Sequence, residues 1–289
     1  MEEIMSIACV VAAVDGSPES VRAVDWAVDD ANRRGVPLRL VHACVWERFE
    51  QETEDDAELV PERKAIQEIL DSAGERAVER SPGIAVDTEL LAGEDVSALL
   101  GLQRYSPLLV MGTRGRGGFP GLLLGSVSLH VAARAAYPVV VVRDERAPTA
   151  ETGPSRVVLG VGAHAMAAAA EFAVDEAVAG RAELELVHAW LPEVDLSGMS
   201  VVMDAGAAAD RAQTLLGAVP LPGTATGGLR VRRRAVQGRA AASLLRAAAG
   251  ADLLVLGARR HDHPGLQLGS VNHALLHHAP CPVAVVPTA

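Results

Sequence analysis

The sequence predicts an α/β protein built from two tandem copies of a doubly wound, five-stranded parallel-sheet domain. Short apolar runs alternate with helical segments along the chain. The runs are solidly apolar, as in strands covered on both faces. Six blocks also recur in one order at an offset of roughly 145 residues: Val10–Asp15 with Val157–Gly162, Asp25–Ala31 with Glu171–Ala177, Leu38–Ala43 with Leu184–Ala189, Leu109–Gly112 with Leu254–Gly257, Gly125–Val127 with Gly269–Val271, and Pro138–Val142 with Pro282–Val286. The shared order points to duplication. Arg143 to Ser155 holds Pro148, Thr149, Thr152, Gly153 and Pro154 and reads as a linker. The predicted domains are residues 1–146 and 156–289.

The first copy sets the pattern. Ala8–Val14 is an apolar strand. Ser17-Pro18 follows as an N-cap with proline in the first helical turn. Val21, Val24, Val28 and Ala31 recur at helical spacing, and Arg33-Arg34-Gly35 closes that helix. Leu38–Ala43 is a second strand. A longer helix over about 57–80 carries Ile66, Leu70, Ala73 and Ala77, and Ile84, Val86, Thr88 and Leu90 alternate as a third strand. A short helix over Glu94–Gln103, a strand over Leu108–Met111, a helix from Ser126 and a strand over Pro138–Val142 complete the unit. Such sheets bind ligands outside the carboxyl ends of their strands.

Composition narrows the function. The 289 residues are 49% hydrophobic and 22% charged, which is globular, and with 3% aromatics the cores must be Val, Leu and Ala. A net charge of -11 argues against nucleic acid as a partner. No stretch reaches the length of a membrane span. Met-Glu-Glu-Ile-Met lacks a signal peptide's regions, and Cys9, Cys44 and Cys281 show no paired spacing, so the expectation is a cytoplasmic protein with reduced thiols.

The chemistry-bearing pattern is Gly112-Thr-Arg-Gly115, nine residues, then Gly125-Ser126, directly after an apolar strand. Glycines there let main chain approach a ligand closely. A hydroxyl beside the last glycine, at a helix start with its exposed N–H groups and positive dipole end, suits a phosphate. Asp15-Gly16, after strand one, lies at the same sheet edge.

Val14-Asp15-Gly16-Ser17, Leu40-Val41-His42-Ala43 and the full G-x2-G-x9-G-S signature resemble the universal stress protein family, over nearly the whole chain. The resemblance implies a Rossmann-like fold and ATP as ligand, with magnesium held mainly by phosphates and waters. It implies that Asp15 contacts the adenine and ribose side, that Ala43 offers its backbone to the adenine, and that Gly112, Gly115, Gly125 and Ser126 hold ribose and phosphates. Ser128 is an extra phosphate candidate. It further implies a role as a stress sensor or regulator, and pairing through the apolar last strands, Val139–Val142 and Val283–Val286, which would join the halves as a pseudo-dimer and leave a homodimer open. A slow nucleotide hydrolase or transferase, and a nucleotide-free scaffold working by domain pairing, remain open alternatives.

The second copy departs from the signature. Gly162 stands at the aspartate position, Arg260 at the second glycine, and Gly269 comes one residue early. The expectation there is a structural or regulatory partner domain. The sole lysine, Lys64, lies far from any glycine loop, so no Walker A mechanism applies, and no nucleophile elbow is present. His261, His263, His273, His277 and His278 crowd together, with His273 and His277 one helical turn apart, but no metal is expected there. The acidic stretch Glu47–Glu58 reads as a solvated loop.

Overall fold

The structure is a computed structural model that describes residues 8–45, 59–105, 107–115, 123–143, 155–162, 166–195, 202–222, 228–259 and 268–288. The chain divides into two compact units, Met1–Glu145 and Arg146–Ala289. The linker residues 144–154 and the acidic loop 46–58 lie outside the described residues.

In the first unit β1 (Cys9–Ala13), α1 (Pro18–Arg34), β2 (Leu38–Cys44), α2 (Leu59–Arg80), β3 (Val86–Ala92), α3 (Asp95–Leu100), a 3-10 turn (Gly101–Tyr105), β4 (Pro107–Gly112), α4 (Ser126–Arg134) and β5 (Val139–Val142) follow in order. All strand pairs are parallel, in the spatial order β3-β2-β1-β4-β5. The chain builds outward from β1 through β2 to β3, then returns to lay β4 on the other flank of β1. The winding therefore reverses between β1 and β4, and the loops leaving those two strands diverge into a crevice.

Local chemistry explains the elements. Ser17, at φ -74 and ψ 154, accepts from the Ser20 amide and caps α1, with Pro18 next. Gly35 adopts φ 67 and donates to the carbonyls of Ala31 and Asn32, ending the helix. Val24, Val28 and Ala31 are buried as the spacing requires, whereas Val21 is half-buried. Asp30, fully buried one turn from the helix end, takes Arg33 and Arg34 at 3.0 and 2.7 Å. Arg76 and Arg80 of α2 reach back to Asp25 and Asp29 of α1 with paired bonds of 2.6–2.7 Å.

Two expectations for this unit are revised. The third strand begins at Val86, because the Ile84 amide closes a turn onto Ser81, and its buried residue is Leu91. The predicted helix over 94–103 is split: α3 ends at Leu100, and Gly101 opens a tighter 3-10 turn. Cys9 sits half-buried in β1, where burial pushes its thiol up against the opposing pull of Arg39.

The second unit repeats the plan. It contains β6 (Arg156–Gly160), α5 (Ala167–Ala179), β7 (Glu183–Trp190), β8 (Glu193–Asp195), β9 (Val202–Asp204), α6 (Ala205–Gly217), β10 (Val231–Gln237), α7 (Ala240–Ala248), β11 (Leu253–Arg259), α8 (Ser270–His278) and β12 (Val283–Thr288). Its parallel strands run β10-β7-β6-β11-β12, the first unit's order element for element. An antiparallel β8–β9 pair precedes α6, an addition with no counterpart in the first unit's described residues. Both cores are mainly valine, leucine and alanine, with Ile66, Met111 and Tyr137 added in the first unit and Met166, Phe172 and Cys281 in the second. No helix among the described residues is long and apolar enough to cross a membrane.

Candidate functional site

Asp15 is aimed by the turn between β1 and α1. The Val14 amide donates to the Val41 carbonyl, and His42 Nδ1 stands 2.7 Å from the Val14 carbonyl, so both main-chain polar groups of Val14 are fixed to β2. Gly16 then takes φ 79, a conformation side chains resist. Asp15 Oδ1 accepts from the Ser17 amide at 3.0 Å and the Ser17 hydroxyl at 2.6 Å. That hydroxyl also lies 3.4 Å from the Arg114 carbonyl. It has one hydrogen, and the shorter, charge-assisted bond to Asp15 claims it. Asp15 Oδ2 faces the glycine loop: a Cβ placed on Gly115 would stand 2.5 Å from it.

The glycines differ in what they touch. A Cβ on Gly112 would meet the carbonyl carbon, Cβ and oxygen of Glu19 at 2.7–2.9 Å, so Gly112 allows the first turn of α1 to rest on the end of β4. The Gly125 amide donates to the Thr113 carbonyl at 2.7 Å, closing the loop, and Gly125 opens α4 with no side-chain cap. Ser126, the first residue of α4, is exposed. Ala43 is half-buried near the end of β2, beside Leu91. Asp15, Ala43, Gly112, Gly115, Gly125 and Ser126 thus all lie at the carboxyl edge of the sheet. Ser128 is set deeper: it is buried and donates to the Gly112 carbonyl at 2.8 Å, tying α4 to β4.

The sequence assigns Ser17 only as the cap of α1 and gives Glu19 and Arg114 no role at the site. Arg114 Nη2 donates to Glu19 Oε1 at 2.7 Å, and Arg22 stands 3.6 Å from the same oxygen. The signature treats Arg114 as a free position, and only an acid in the first turn of α1 hinted at a partner.

The second unit keeps the frame and changes the contents. His188 Nδ1 lies 2.8 Å from the Val161 carbonyl, repeating His42. Asn272 Nδ2 donates to the Gly257 carbonyl at 2.9 Å, repeating Ser128. Gly162 replaces the aspartate and has no atom within 4 Å of an added Cβ. Where Glu19 abuts Gly112, the Met166 sulfur and methyl abut Gly257 at 3.3 and 3.4 Å. Arg260, His261 and His263 lie outside the described residues. His273 and His277 pack ring to ring at 4.4 Å, and no three metal-ligating side chains gather among the described residues.

A family model described as "Universal stress protein family" matches the chain twice, over residues 9–143 and 154–287. The chain belongs to the universal stress protein family. Universal stress proteins Rv1996 and Rv2005c of Mycobacterium tuberculosis (strain ATCC 25618 / H37Rv) are each 32% identical to it over 298 residues, covering 96% of this chain and 94% and 96% of their own. A crystal structure of a universal stress protein from Archaeoglobus fulgidus DSM 4304 shares the fold, with a TM-score of 0.71 at 20% identity over 97% of this chain and 98% of that one. A universal stress protein in complex with cAMP is 32% identical over 46% of this chain and 95% of its own, at a TM-score of 0.39. The chain is therefore a tandem universal stress protein.

Proposed function

We propose that the first unit binds an adenine nucleotide, ATP with magnesium, and that the protein is a cytoplasmic stress-response regulator whose bound state is the signal. The observation that carries this reading is the meeting of Asp15 and Gly115 at the winding reversal. A carboxylate suited to ribose hydroxyls is held by Ser17 against a loop whose glycine leaves main chain bare. In the proposed complex the uncapped start of α4 and the Ser126 hydroxyl face the phosphates, and Ala43 offers backbone to the base. Gly112 and Ser128 then act by holding β4, α1 and α4 in place. Magnesium would be carried by phosphates and waters.

Asp15 and Glu19, the carboxylates at this crevice among the described residues, are engaged by Ser17 and Arg114. That favours binding over turnover, so hydrolysis should be slow or absent. In the second unit Met166 fills the place of Glu19 and the aspartate is gone, which favours a structural or regulatory partner domain. The apolar last strands support pairing of the halves, and light scattering on the intact chain would distinguish monomer from homodimer.

Calorimetry with ATP and magnesium tests the reading. Asp15→Ala and Gly115→Val should each weaken binding roughly tenfold or more, about 1.4 kcal/mol at the least. Gly115→Val acts by pushing the Asp15 carboxylate aside. Equal affinity in wild type and both variants would overturn the proposal.

A further inference from the structure

We infer that Glu19 and Arg114 form an electrostatic latch in which Glu19 competes with the nucleotide's terminal phosphates for the Arg114 guanidinium. The inference rests on the nucleotide reading above and names the residues that set phosphate-number preference within it.

Arg114 lies between the two glycines of the G-x2-G pair. Its main chain is part of the cradle: a Cβ on Gly125 would stand 3.6 Å from the Arg114 Cα. Its side chain leaves the cradle for α1 and binds Glu19 at 2.7 Å. The pair is only partly screened, with the Glu19 side chain 12% and the Arg114 side chain 32% exposed. Glu19 cannot retreat, because its own backbone is wedged against Gly112. Arg114 is the longer and freer partner. A guanidinium takes phosphate oxygens in the same forked geometry as carboxylate oxygens. A triphosphate laid along the α4 start would therefore offer Arg114 a second anion, while Glu19 opposes the incoming charge. The second unit supplies an internal contrast, since Met166 stands where Glu19 does and carries no charge to hold an arginine.

The latch makes a prediction of opposite signs. Glu19→Gln removes the competitor and leaves Arg114 available, so ATP affinity should rise several-fold while AMP affinity changes little. Arg114→Gln should lower ATP affinity several-fold, and the double variant should show none of the gain of Glu19→Gln. Arg114→Lys should recover part of the loss. Titrations of ATP, ADP and AMP by calorimetry on the intact chain, with thermal melts of each variant, read all of this. If both single variants lower ATP affinity alike, or shift ATP and AMP equally, the pair merely braces the loop and the latch is overturned. If wild type binds none of the three nucleotides, the underlying nucleotide reading fails instead. A Glu19→Gln variant that melts early is replaced by Glu19→Met, which copies the second unit and should give the same gain.

Discussion

Gly112 and Gly115, three residues apart, are glycine for different reasons. At Gly115 the obstructing atom is the tip of the Asp15 side chain, which can swing away. At Gly112 it is the main chain of Glu19, which cannot move without α1. Gly112→Ala should therefore destabilise the fold by about 2 kcal/mol through overpacking. Chemical denaturation would show a lowered midpoint, whereas Gly115→Val should melt close to wild type and lose nucleotide. A Gly112→Ala protein as stable as wild type would mean that α1 is not seated on β4 as described. The signature alone makes the two positions equivalent, because it records only that a side chain is excluded. Ser128, an extra phosphate candidate by its place after the signature, donates its hydroxyl to the Gly112 carbonyl and so ties α4 to the end of β4.

Among the elements, the outer strand pair of each unit uses the same ladder with the charges inverted. In the first unit Arg39 of β2 holds Asp87 and Glu89 of β3 at 3.0 Å and packs 4.5 Å over the Tyr105 ring. In the second unit Glu183 and Glu185 of β7 take Arg232 and Arg234 of β10 at 2.7 and 3.0 Å. Arg39→Glu sets three carboxylates together and should cost about 1 kcal/mol, modest because the ladder is part-exposed. Adding Asp87→Arg and Glu89→Arg copies the second unit's signs and should restore most of the loss, as read by denaturant midpoints. If the triple variant is no better than the single one, packing of Arg39 on Tyr105 and not ladder charge holds β3. The inversion also sets like charges together in a ladder mispaired between the copies. A β3 laid on β7 would set Asp87 against Glu185, and a β10 laid on β2 would set Arg232 against Arg39.

For the whole molecule, duplication without full retention of the signature predicts a stoichiometry. Native mass spectrometry or calorimetry should find one adenine nucleotide per chain, lost in Asp15→Ala; two per chain would show that the second unit binds without a carboxylate. Much of this was legible in the residues. Apolar runs and their repetition determined two doubly wound units, since a strand buried on both faces has few other homes. Ser17-Pro18 and Gly35 marked both ends of α1, because capping is a local matter of dihedrals and hydrogen bonds. The glycine signature, coming directly after an apolar strand, lies at the carboxyl edge of the sheet with Asp15 facing it. The contacts between segments distant in sequence needed the fold. Nothing in the chain's order says that Glu19 meets Arg114, that Gly112 seats α1, or that Met166 takes the acid's place in the second unit. Each depends on how a helix lies across a strand some ninety residues away. Periodicity and caps report interactions within a few residues, whereas the side chains that share a crevice are chosen by the packing of the sheet.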